Sequence, residues 1–171
     1  MTSGASDPTV VSNRVADFPT PPQASPTRVY VASRWSSGPT LVKDIVDLLE
    51  AAGFACTQRW WTEEPAATAS GWAAVADRDL RGVATADVVL VLATQGREGM
   101  GMWVEMGYAL ALGKPVLLWA PPEHAAFLEP NRPGATSPFV YAPGVRRWVC
   151  PESVLVDRGG LATVIRGMVS R

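Results

Sequence analysis

One acidic side chain stands where acids are expensive. From Gly99 to Gly113 the chain reads Gly-Met-Gly-Met-Trp-Val-Glu-Met-Gly-Tyr-Ala-Leu-Ala-Leu-Gly, and Glu105 is its only charged residue. An ionisable group in an apolar, packed segment costs free energy to bury unless it is paired or used. The spacing predicts a helix over about 101–112, with Glu105 within about one turn of its start, where the helix dipole and free N–H groups favour the ionised form. An ionised, partly desolvated carboxylate is what a nucleophile needs. The plainer alternative is a glutamate that caps the helix or turns to solvent.

Asp79 is the second carboxylate of interest. Val75, Ala76 and Val83 stand at i−4, i−3 and i+4 from it, so it shares their apolar face, while Asp77, Arg78 and Arg81 project elsewhere. A core-side carboxylate at the end of a sheet is a candidate general acid or base if its surroundings raise its pKa. The alternative is a pairing with nearby backbone or an arginine. Tyr30 and Trp35 bracket the exit from a first strand and suit stacking on a flat ring, or plain core packing. Trp60 and Trp61 suit a ring-shaped ligand or a subunit contact. Gly96-Arg97-Glu98-Gly99-Met100-Gly101 would let backbone N–H groups approach an anionic or hydroxylated ligand. It matches neither the dinucleotide fingerprint nor a Walker loop. These residues make Tyr30, Trp35, Glu98, Gly99 and Gly101 candidate binding positions, with Glu105 and Asp79 as candidate reactive carboxylates; Ala32 and Met102, their neighbours in the same segments, are expected beside them.

The elements that must position these residues are legible as an alternation. Arg28-Val-Tyr-Val-Ala-Ser33 reads as a strand, and Pro39 to Gly53 as a helix with a 3.6-residue apolar stripe. A strand over 54–57 and a helix over about 71–84 follow. Asp87-Val-Val-Leu-Val-Leu-Ala93 and Lys114-Pro-Val-Leu-Leu-Trp119 are continuous apolar runs, the mark of strands covered on both faces in a parallel sheet. Phe139 to Tyr141 is the expected fifth strand and Leu161 to Val169 a closing helix. The class is α/β, a doubly wound sandwich with a mainly parallel five-stranded sheet. Ligands in such sheets bind outside the carboxyl ends of the strands.

Composition narrows the partners. The chain has 171 residues, enough for one substantial core. Residues 1–26 hold five prolines and seven Ser or Thr with no apolar periodicity, which predicts a flexible tail ahead of a single domain over 27–171. No basic start precedes an apolar run, so no secretory signal is expected. No run approaches the roughly 18 apolar residues of a membrane span. Fifteen basic against sixteen acidic residues, net −1, leave no electrostatic footprint for nucleic acid. His124 is the only histidine, and Cys56 and Cys150 form no Cys-x-x-Cys pair, so no metal site and no cofactor is expected, and two reduced thiols point to the cytoplasm.

Taken together, Val29-Tyr-Val-Ala-Ser-Arg-Trp35, Asp79-Leu80 followed by Ala86-Asp87, and Gly101 to Val116 with its Glu-Met-Gly-Tyr-Ala-Leu-Ala-Leu-Gly-Lys-Pro-Val core resemble the nucleoside 2-deoxyribosyltransferases and the related 2′-deoxynucleoside 5′-monophosphate N-glycosidases. The resemblance spans about residues 28–120. It implies a flavodoxin-like fold, a homo-oligomer, and a double displacement on a nucleoside or nucleotide with a free nucleobase as second partner. By that resemblance Glu105 is the nucleophile that holds the sugar as an ester, Asp79 protonates the departing base, and Tyr30 and Trp35 lie near sugar and base. Six residues before the nucleophile, transferases of the family carry an Asp for the sugar 5′-hydroxyl and nucleotide hydrolases a Ser beside phosphate. Gly99 occupies that position here. Glu98 then stands in for the Asp, or Arg97 and loop N–H groups receive a phosphate. A third reading is a nucleotide-binding sensor that has lost the chemistry.

Overall fold

The structure, a computed structural model, describes residues 25–34, 39–62, 66–94, 99–129, 138–157 and 159–170. The elements run β1 (Arg28–Ser33), α1 (Pro39–Ala51), β2 (Ala55–Cys56), α2 (Ala69–Thr85), β3 (Val88–Leu92), α3 (Met100–Ala111), β4 (Val116–Ala120), β5 (Val145–Val149), α4 (Glu152–Leu155) and α5 (Gly160–Val169). Short 3-10 helices occupy Trp60–Thr62, Pro122–Leu128 and Pro138–Tyr141. Nearly all of the expected tail, residues 1–24, lies outside the described residues, as do Trp35, Arg97 and Glu98.

All five strands pair in parallel in the order β2-β1-β3-β4-β5. That is the flavodoxin-like winding, and its direction reverses between β1 and β3, where such sheets open a crevice at their carboxyl ends. β3 and β4 are buried at every position, as their unbroken apolar sequences require. Their side chains alternate between two cores. Val29, Val31, Val88, Leu90, Leu92, Leu117 and Trp119 pack with Val42, Ile45, Val46 and Leu49 of α1 and Leu161, Ala162 and Ile165 of α5. Tyr30, Ala32, Val89, Val91, Val116, Leu118 and Ala120 pack with Val83 of α2 and Met102, Met106 and Ala109 of α3.

One sequence expectation is overturned. Phe139 to Tyr141 is not a strand but part of a 3-10 helix that begins at Pro138, a residue whose fixed φ suits a first helical position. The fifth strand is Val145-Arg-Arg-Trp-Val149. It is the last strand on its side of the sheet, with β4 as its one neighbour, so solvent tolerates its two exposed arginines and hides the strand from an apolar-run search. Gly113 ends α3 at φ +69, a left-handed turn that glycine adopts without strain. Lys114 next to it donates to the Ala86 carbonyl at 2.6 Å, at the end of the sheet away from the crevice. The Gly-Lys-Pro part of the motif is therefore structural.

Candidate active site

The crevice at the carboxyl end of the sheet has a volume of about 290 Å³ and is lined by Ser33, Arg34, Trp60, Trp72, Val75, Asp79, Gly99, Gly101, Met102 and Glu105. β1 delivers Ser33 and Arg34 at its end. α2 delivers Trp72, Val75 and Asp79 from one face, and α3 delivers Met102 and Glu105 from its first two turns. A parallel crossover makes this convergence automatic, because each returning helix starts above the carboxyl ends of the strands.

Tyr30 is the hub. It sits inside β1, paired in register with Val89, and its side chain is wholly buried. Its hydroxyl donates to Glu105 Oε1 at 3.0 Å. The ring reaches that oxygen because α2 carries Gly82 where it crosses β1. A Cβ at Gly82 would lie 2.8 Å from Tyr30 Cδ2 and Cε2, closer than packed carbon atoms come. The Gly82 carbonyl also accepts from Thr57 Oγ1 at 2.9 Å, which pins α2 to the segment after β2. Burial first, then the charges of Glu105 and Asp79, raise the Tyr30 phenol far above its ordinary value. It is a permanent donor to the carboxylates beside it.

Asp79, which lines the same crevice, accepts at Oδ1 from Gln58 Nε2 at 3.2 Å. Burial, and next the negative charge of Asp79, push the Glu105 carboxyl up to about 8, with the Tyr30 hydrogen bond opposing them. The helix terminus does little to offset this. α3 begins at Met100, so Glu105 is its sixth residue, and the dipole's influence fades within the first turn.

The structure brings Glu105, Asp79, Gly99, Gly101 and Met102 to one crevice, with Tyr30 beneath it. Ala32 is wholly buried between the sheet and α3 and does not line the crevice. Sequence reasoning missed Arg34, Ser33, Gln58, Gly82 and Trp72. Ser33 Oγ is buried at the crevice without a hydrogen-bond partner among the described residues. Arg34 packs its Cγ 3.6 Å from where a Gly99 side chain would begin. Among the described residues no group of His, Cys, Asp and Glu could hold a metal ion. No helix among them is long and apolar enough to cross a membrane. Both cysteines are free, Cys150 buried and Cys56 half-buried with its thiol pushed up to about 12 by burial.

A family model, nucleoside 2-deoxyribosyltransferase, matches residues 29–151, a span that includes every element carrying the crevice. The chain belongs to the nucleoside 2-deoxyribosyltransferase family. Among solved structures, the CMP N-glycosidase BcmB of Clostridium botulinum is similar with a TM-score of 0.53 and 14% identity, over 82% of this chain and 98% of that one. That likeness supports the flavodoxin-like fold. The 2-deoxyribosyltransferase of the psychrotolerant bacterium Bacillus psychrosaccharolyticus is 21% identical over 55% of this chain and 72% of that one, with a TM-score of 0.47. No curated protein gives a match to the chain. Membership in this family makes the chain an enzyme of N-glycosyl transfer.

Proposed function

We propose that the chain is a nucleoside 2-deoxyribosyltransferase that exchanges the base of a 2′-deoxynucleoside through a covalent deoxyribosyl-Glu105 intermediate. The observation that supports it most is the pair of carboxylates, Glu105 tethered to Tyr30 at 3.0 Å and Asp79 to Gln58 at 3.2 Å, facing one crevice. Two coupled carboxylates that resist ionising together hold one proton between them near neutrality. Such a pair supplies both partners of a retaining displacement. Ionised Glu105 attacks C1′, the C1′–N bond breaks, its electron pair goes to the base, and protonated Asp79 gives its proton to a base nitrogen. A second base then attacks C1′ from the side the first one left, returning Glu105 to its carboxylate and a proton to Asp79. Tyr30 holds the Glu105 carboxylate in line throughout, donating to the oxygen that does not attack. Gly99, Gly101 and Met102, which line the crevice, border the sugar.

The second reading is hydrolysis of a 2′-deoxynucleoside 5′-monophosphate, with water in place of the second base. Arg34 favours it, since it brings a guanidinium to the crevice beside the N-terminus of α3, a setting suited to phosphate. The similar Clostridium botulinum structure is a CMP N-glycosidase. We assign the enzyme to the cytoplasm, in keeping with its free thiols. We also read it as a homo-oligomer, because α3 and its C-cap expose Met100, Val104 and Leu112.

The test is chromatographic detection of base release from deoxynucleosides and their 5′-monophosphates, each with and without a second free base. Exchange that requires the second base, and falls by about 10³-fold or more in Glu105→Ala, is the expected result. Release from monophosphates alone would select hydrolysis, and full activity in Glu105→Ala would end both readings. Binding with no released base after long incubation would make the crevice a sensor.

A further inference from the structure

The crevice contains a side chain that the chemistry above leaves unused. Trp72 is 51% exposed, the largest apolar side chain so presented among the described residues. It lines the crevice together with Val75 and Asp79, which follow it at i+3 and i+7 on the same face of α2. Two helical turns, about 10 Å, separate it from Asp79. Because α2 begins above the carboxyl ends of the strands, Trp72 stands at the mouth, Asp79 deeper, and Tyr30 with Glu105 beneath. The side chains between are Val75 and, from α3, Met102, which offer apolar contact and no hydrogen bonds.

The backbone under Trp72 is anchored. Thr68 caps α2, its Oγ1 accepting from Gly71 N at 3.1 Å, and Trp72 N donates to the Thr68 carbonyl at 3.0 Å. Across the crevice Trp60 is fixed differently. It is buried, and its Nε1 donates to the Val31 carbonyl at 3.2 Å. One tryptophan is therefore a rigid wall and the other an open face on a fixed stalk.

We propose that Trp72 is the outer wall of the seat for the leaving base, its indole stacking on the nucleobase whose ring nitrogen meets Asp79. The inference rests on the N-glycosidic reading of the same crevice. Any base has a π-face, so the wall sets affinity for the base as a class and leaves the sugar chemistry to Glu105. An acid two turns further down the same helix face meets one edge of the ring while the indole covers its plane. Trp72 is thus a specificity-determining residue, not a catalytic one.

The test compares Trp72→Ala and Trp72→Phe with the unmodified chain, all checked for folding by circular dichroism. KM for deoxynucleosides or their monophosphates is measured alongside kcat. Equilibrium dialysis of the same compounds, in chains that also carry Glu105→Ala, gives binding without turnover. Trp72→Ala should raise KM and Kd about 5- to 150-fold with kcat within about threefold. Trp72→Phe should recover most of the loss, and inhibition by base-free 2-deoxyribose should not change. Unchanged KM, equal damage in Ala and Phe, or an effect accompanied by altered sedimentation would overturn the proposal, the last by assigning Trp72 to a subunit contact. If the unmodified chain releases no base yet binds nucleosides through Trp72, the seat stands and the enzymatic reading falls. If it binds none, both fall.

Discussion

The two faces of the sheet are built from different materials. Under α1 and α5 the core is branched and bulky, with Ile45, Leu49, Leu90, Leu92, Leu117, Leu161 and Ile165 all fully buried. Under α2 and α3 it is thinned by Ala32, Ala86, Ala93, Ala109 and Ala120, and one tyrosine takes the space. The first face offers volume and, beyond two thiols held protonated by burial, nothing to titrate. The second sacrifices apolar volume so that a phenol, a glutamate and an aspartate meet at its edge. Function here is placed by subtraction, small residues making room for one long polar one.

The pair of mid-helix glycines, Gly82 in α2 and Gly167 in α5, breaks or confirms that contrast. Gly82→Ala puts a methyl 2.8 Å from the Tyr30 ring, so the ring must move. We expect a loss of about 1–3 kcal/mol in stability. Base release should fall about 10- to 100-fold as the hydrogen bond to Glu105 is lost, the range for a bond to a charged group. Denaturant unfolding and steady-state kinetics check both, and wild-type activity in Gly82→Ala would remove Gly82 from the machinery.

The next effect in size is on pH dependence. The proposed pair works with one proton, so as pH rises through about 8, where Glu105 loses its own, kcat/KM should fall because no proton is left for the departing base. Asp79→Asn removes both the acid and the negative charge that raises Glu105, so the falling limb should disappear, Glu105 should ionise at lower pH, and the overall rate should drop. A limb that stays in place would uncouple the two carboxylates.

Smaller still is a stability effect. Glu105 binds its proton more tightly folded, near 8, than unfolded, near 4.5. Its favourable contribution is therefore complete below about pH 4.5 and lost as pH rises through 8. Glu105→Gln cannot ionise, so its Tm should match wild type at pH 4 and exceed it by a few degrees at pH 9. The reverse order would mean that Glu105 is ionised at little cost. Least of all, Gly167→Ala, where nothing lies within 4 Å, should add about 0.5–1 kcal/mol to stability and leave kinetics unchanged.

What the sequence discloses follows from how each residue signals. β1, β3 and β4 announce themselves as apolar runs, and Glu105 and Asp79 as acids in apolar company. β5 escapes because Arg146 and Arg147 interrupt its pattern, and its place was assigned instead to Phe139–Tyr141. Tyr30 lies inside the strand its run predicts, but the face it takes, and with it the bond to Glu105, is not legible in that run. Gly82 carries no signal of its own. A glycine in a helix reads as a tolerated flaw until the tyrosine opposite it is known. Gln58 and Trp72 are equally silent, because both acquire meaning only from the carboxylate that α2 places near them.

The strut from Tyr30 to Glu105 has a consequence for how this scaffold can diversify. Glu105 and Tyr30 are anchored in a helix and a strand, and neither belongs to the connection between β3 and α3. That connection can gain or lose residues while Glu105 keeps its place, and on the proposed reading such changes would alter which substrates enter before they touched the chemistry. Substrate range and reactivity are therefore separately heritable in this fold, and new selectivity can arise without passing through an inactive ancestor.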